Sequence, residues 1–178
     1  MEFLWRMFLV APRKLYTEAK AEEERLRELL NPKLEIFFEP QYPCDDRRVE
    51  YRVIRVAVRN IGVRTVAALK VQVSDVTPRP AGLFTPLPLA AIHDRPNSKK
   101  TELDPNEHWC WDVADQLTDG TIRIVHTVDG EKQAIPPGCY TVTIRASGRD
   151  VPGTSRRFAI SVPVPRQGNQ DLLFTPVE

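Results

Sequence analysis

The most chemically loaded run in the chain is His108-Trp109-Cys110-Trp111-Asp112. On an extended strand, His108, Cys110 and Asp112 project to one side and the two tryptophans to the other. Three metal-ligand types on one face would call for a fourth, from His93 or His126. Neighbours on one face of one strand point in parallel, however, and do not converge on a single ion. Cys110 with His108 or His126 could instead form a nucleophile–base pair, which needs hydrogen-bond reach and an electropositive setting. The sequence supplies neither, and a strand cysteine is ordinarily a small buried hydrophobe. Asp45-Asp46 and Asp112/Asp115 lack the context of a calcium loop and read as turn residues. The chain also lacks a nucleophile elbow, a zinc-protease helix motif, a P-loop and a dinucleotide fingerprint. The expectation is therefore a non-enzyme without metal or cofactor.

A second constellation is basic. Arg52, Arg55 and Arg59 interleave with apolar residues, Arg55 and Arg59 sharing a solvent face. With Lys70 on a neighbouring strand they would build a basic sheet face for nucleic acid or an acidic lipid headgroup. The competing expectation is a solvated face with cross-strand partners such as Glu35 and Glu39. Composition favours the latter: 25 basic against 24 acidic residues, net charge +1, rules out a binder selected by bulk positive charge.

The elements that must position these residues are strands. From Lys33 the apolar residues recur every second position: Leu34, Ile36 and Phe38; Val49, Tyr51 and Val53; Leu69, Val71 and Val73; Trp109, Trp111 and Val113; Ile122, Ile124 and His126; Tyr140, Val142, Ile144 and Ala146; Phe158, Ile160 and Val162. Between Val53 and Ile54 the apolar set changes phase, which predicts a β-bulge. Asn60-Ile61-Gly62, Asp104-Pro105-Asn106, Asp119-Gly120, Asp129-Gly130, Pro136-Pro137-Gly138 and Pro152-Gly153 separate the runs. Regular short strands joined by turn signals predict an antiparallel β-sandwich over 33–178. Residues 77–100 interrupt it with prolines at alternate positions, Pro78/Pro80 and Pro86/Pro88. Proline cannot donate to a ladder, so this insertion is expected to be either a binding loop or a crossover between sheets that also blocks an edge.

Residues 1–32 differ from the rest. The segment 13–31 holds strong helix formers with opposite charges four apart and a thin apolar stripe of Leu15, Ala19, Leu26 and Leu29 or Leu30, broken by Glu22 and stopped by Asn31-Pro32. Ahead of it lies an apolar leader with Trp5, Phe8 and Leu9 beside Arg6, Arg13 and Lys14. Apolar aromatics next to basic residues suit an interfacial membrane segment; the alternative is packing on protein. The apolar run is too short to span a bilayer, and neither its charge order nor Pro12-Arg13-Lys14 fits an export signal. Three cysteines, Cys44, Cys110 and Cys139, with no CxxC, are expected to be free thiols in a reducing, cytoplasmic setting.

Val56-Ala57-Val58-Arg59-Asn60-Ile61-Gly62 followed by Ala68 to Val73, then Leu103-Asp104-Pro105-Asn106-Glu107, then Ile135 to Ile144 with its Pro-Pro-Gly turn, resemble bacterial immunoglobulin-like modules related to fibronectin type III and CARDB domains. The resemblance covers about 33–165 and implies an immunoglobulin-like sandwich with Tyr140 at a tyrosine corner, its hydroxyl returned to nearby backbone. It implies no activity. Phe8 to Tyr16, the charged helix and Pro32 to Ile36 are similar to the juxtamembrane stretch of small uncharacterised bacterial membrane proteins, implying a β-domain at the inner face of the membrane. The whole reading is an all-β immunoglobulin-like antiparallel β-sandwich behind one N-terminal α-helix. It predicts a non-catalytic interaction module attached through Trp5, Phe8, Leu9, Arg13 and Lys14 to a membrane surface or to an unknown protein partner. The alternatives are a self-assembling structural protein joined by helix or sheet edge, and a cysteine-dependent enzyme.

Overall fold

A computed structural model describes residues 2–92, 101–125, 132–149, 151–163 and 172–177, with side chains in the helix described at 13–26 and 30. The helix, α1, runs Glu2–Leu30, so the leader and the charged segment form a single element rather than two. The expected helix was 13–31 alone, and Pro12 does not bound it. Its fixed φ near −65° is itself helical, and what it removes is one backbone donor. The helix stops at Asn31-Pro32, where the residue before proline is pushed out of the helical region.

The strands follow in chain order: β1 Leu34–Phe37, β2 Asp45–Arg47, β3 Tyr51–Asn60, β4 Val66–Ala67, β5 Lys70–Thr77, β6 Leu87–Pro88, β7 Glu102–Leu103, β8 His108–Leu117, β9 Ile122–Val125, β10 Lys132–Ile135, β11 Gly138–Gly148, β12 Val151–Val162 and β13 Leu173–Pro176. The first sheet has the order β1-β3-β8-β9-β10, with β2 also on β3; the second is β13-β12-β11-β5-β6; β4 and β7 form a small ribbon. All pairings are antiparallel. The fold is therefore all-β behind one N-terminal helix.

Alternation along the strands puts one face of each sheet into a shared core. Val56, Val58, Trp111 and Ile124 of the first sheet and Val73, Tyr140, Val142, Phe158 and Ile160 of the second belong to one buried cluster, with Trp109 packed on it. Burying each such side chain is worth roughly 1.5–3 kcal/mol. Phe158 is fully buried and stacks on Phe174 at 4.8 Å, which meets Phe38 edge-on at 4.9 Å. The expected bulge is present: the register of β3 on β8 shifts between Ile54 and Arg55, with Val113 the extra residue on β8. The extra residue shifts the phase of β8; along β3, Ile54, Val56 and Val58 keep one phase into the core and Val53 lies on the opposite face.

β1 and β2 run along the same edge of β3, β1 pairing 57–60 and β2 pairing 52–54. The intervening residues 38–44 form an insertion lying over the outer face. Asp45-Asp46, expected as a turn, instead form β2. The Pro-rich stretch is a crossover. β6 pairs β5 in the second sheet, and within four residues of its end Ile92 N–H donates to the Cys110 carbonyl and Asp112 N–H to the Ala90 carbonyl, along β8 of the first. The segment changes sheets within six residues and closes that side of the core.

The junction with the helix is organised by Asn60, which is fully buried. Its amide donates to the Arg64 and Leu103 carbonyls at 2.7 and 2.9 Å and accepts from Gly62 N–H at 2.9 Å. All polar atoms of this buried side chain are thereby satisfied. Gly62 lies so close to the incoming chain that a Cβ there would sit 2.6 Å from Lys33 N.

Candidate functional site

The outer face of the first sheet carries the His-Trp-Cys-Trp-Asp run as the alternation predicts. Trp111 points into the core, while Cys110 and Asp112 lie outward beside Ala57 and Arg55 of β3. His108 sits at the exposed end, its ring 6.1 Å from that of Phe37. What the sequence did not reveal is that the insertion 38–44 buries part of this outer face. Cys44, Ala57 and Cys110 form a second small core beneath Phe37, Phe38 and Ile92. Cys44 Sγ lies 4.0 Å from Cys110 Sγ. The hydrogen bond between the two thiols holds the Cys44 pKa down to about 7 against burial. The same hydrogen bond and burial push Cys110 up. The thiol neighbour of Cys110 is thus another thiol.

Arg55 was expected on a solvent face; it is buried. Its Nε donates to Asp112 at 2.6 Å and its Nη1 to Asp46 at 3.1 Å and to the Pro43 carbonyl at 2.9 Å. Arg48 holds the other side of Asp46 at 2.9 Å. Arg52 makes a two-pronged pair with Asp45, both distances 2.7 Å, and donates to the Leu172 carbonyl. Arg59 pairs with Glu35 at 2.6 Å, as the solvated-face expectation had it, and lies over the Phe37 ring. Lys70 is exposed on β5, in the second sheet, not on a strand beside β3. The four basic residues therefore do not share a face, and the three arginines are neutralised by carboxylates.

Asp115, also buried, is gripped by Arg123 through both nitrogens at 2.9 and 2.6 Å and by Lys132 at 2.7 Å. Burial alone would raise its pKa, but these hydrogen bonds outweigh it and hold the carboxyl below the usual range. The Arg52 guanidinium does the same for Asp45, and Arg48 and then Arg55 for Asp46.

Of the five attachment residues, Trp5, Phe8 and Leu9 have side chains outside the described set, although α1 carries them. Arg13 and Lys14 are exposed, Lys14 4.0 Å from Glu18. Every described side chain of α1 is exposed, including apolar ones: Leu15 at 66%, Tyr16 at 72% and Leu26 at 49%. Near the C-terminal end, Ala19, Glu22, Glu23, Leu26, Leu30, Asn31 and Arg64 line an open groove of about 530 Å³.

Chemically, the described surface offers ion pairs, a buried dithiol and an uncovered helix. Among the described residues no three His, Cys, Asp or Glu side chains gather as metal ligands; His93 and His126 lie outside them. Also among the described residues, no helix is long and apolar enough to cross a membrane. Tyr140 behaves as the tyrosine-corner expectation required, its hydroxyl donating to the Pro136 carbonyl at 2.9 Å. Comparison of the chain with protein families, with curated proteins and with solved structures gave no match.

Proposed function

We propose that the chain is a non-catalytic interaction module of immunoglobulin-like type, attached through α1 to an anionic membrane surface at its cytoplasmic side. The observation that carries this reading is the exposure of α1: Leu15, Tyr16, Leu26 and Leu30 all face solvent. Exposed apolar side chains along one element mark a surface that meets another body. The leader adds Trp5, Phe8 and Leu9 to that element, with Arg6, Arg13 and Lys14 close by in sequence. Apolar and aromatic residues enter the headgroup boundary while basic residues meet anionic lipid. The ion-paired β-body supports a presenting role, because Arg52, Arg55 and Arg59 are already engaged.

Flotation with vesicles tests this. Vesicles containing phosphatidylserine should carry the full chain upward, and phosphatidylcholine alone should carry less, with the difference shrinking at high salt. Replacing Trp5, Phe8 and Leu9 together by Glu should lower the partition constant by about tenfold or more. The apolar spacing of Leu15, Ala19, Leu26 and Leu30 also favours a second reading, self-assembly through the helix. Light scattering without lipid separates the two: mass growth in the absence of vesicles, with no flotation, selects assembly.

A further inference from the structure

Cys44 and Cys110 are 66 residues apart in sequence and lie on either side of β3, yet their sulfurs approach to 4.0 Å. We propose that this pair is an oxidation site, a dithiol that closes to a disulfide across β3 when a hydroperoxide reaches it. A disulfide needs about 2.05 Å between sulfurs and Cα atoms within about 7 Å. With β3 between the two cysteines, closure requires the Cys44 backbone to shift toward Cys110 as well as the sulfurs to approach. Two features make room for that. Ala57, the residue between them, is small and buried in the same cluster. Cys44 ends the 38–44 insertion, whose outer residues Glu39, Pro40, Gln41 and Tyr42 are exposed. The segment is anchored at its ends by Phe38 against Phe174 and by the Cys44 carbonyl on β3, and its exposed middle is the part that can yield. The hydrogen bond to the neighbouring thiol favours the Cys44 thiolate, the form that reacts, against burial, and the Arg55 backbone N–H fixes the Cys44 carbonyl at 2.7 Å. Cys139 is exposed on β11 in the other sheet and is no part of the pair.

The chemistry balances as a two-electron transfer to the peroxide. The Cys44 thiolate attacks one peroxide oxygen, the O–O bond breaks, and the departing hydroxide takes a proton to become water. The resulting sulfenic acid is attacked by the Cys110 sulfur. The S–O bond breaks, hydroxide leaves, and with the proton released by Cys110 it forms a second water. A thiol reductant reverses the bond.

The experiment uses the full chain, reduced and freed of reductant, then exposed to hydrogen peroxide in native buffer. Remaining thiols are alkylated under denaturing conditions and the digest is mapped by mass spectrometry. The expected result is loss of two of three alkylatable thiols, a linked peptide joining Cys44 to Cys110, and full recovery with dithiothreitol. Cys139→Ser should form the same link. Three alkylatable thiols after treatment, a loss centred on Cys139 with chain-to-chain cross-links, or a Cys44–Cys110 link that forms faster in guanidinium than in native buffer would each overturn the proposal.

Discussion

At the scale of single residues, the buried charges of the β-strands are matched by opposite charges, as at Asp45, Asp46, Arg55 and Asp115. Asp115 shows the consequence. Its pKa is lowered in the folded state, so its stabilising contribution is present above the unfolded value near 4 and is lost as pH falls through the lowered folded value. Asp45 and Asp46 act in the same direction. Stability should therefore hold through neutral pH and drop below about pH 4. Asp115→Asn should cost about 2 kcal/mol at pH 7, less than a fully buried pair because Arg123 and Lys132 reach solvent. Denaturant titrations at pH 7 and at acid pH check this: the gap between wild type and variant should narrow in acid, and a gap independent of pH would contradict it.

At the scale of elements, the sandwich was legible because burial on one face imposes a period of two. The bulge lies on β8, so the change of apolar phase read along β3 has a different cause: the neighbours Val53 and Ile54 are buried on opposite faces. The Asn60-Ile61-Gly62 turn followed from residue types with few alternative uses, whereas the Tyr140 hydrogen bond to the Pro136 carbonyl was expected only from the resemblance. The dithiol was not legible. Nothing local in Cys44-Asp45-Asp46 or Trp109-Cys110-Trp111 signals that an insertion in an edge strand folds over the central strands. For the same reason Arg55 read as exposed: period two cannot tell which outer faces are covered. The short strands β2, β4, β6, β7, β10 and β13 carry too little alternation to be seen. Gly62 gives a test of how tightly the helix junction meets the first sheet. A Cβ there would lie 2.6 Å from Lys33 N and 2.7 Å from Pro32 Cα, both backbone atoms that cannot swing aside. Gly62→Ala should cost about 3 kcal/mol by chemical denaturation. At Gly120, where a Cβ meets nothing within 4 Å but φ is +84°, the same change should cost only about 1 kcal/mol. Equal costs at the two sites would contradict this account of the junction.

For the whole molecule, the division of labour is between a β-body with its own core and a helix whose described side chains are all exposed. The body's large buried residues come from both sheets, and none comes from the described part of α1. Its folding should therefore not depend on the helix, while attachment should depend on nothing else. The most direct measurement is a paired one on a chain cut to residues 33–178: far-ultraviolet circular dichroism with thermal melting, and flotation with phosphatidylserine-containing vesicles beside the full chain. A β-type spectrum with a single cooperative melt and loss of flotation is expected. A shortened chain that fails to fold, or one that folds and still floats with the vesicles, would contradict the account.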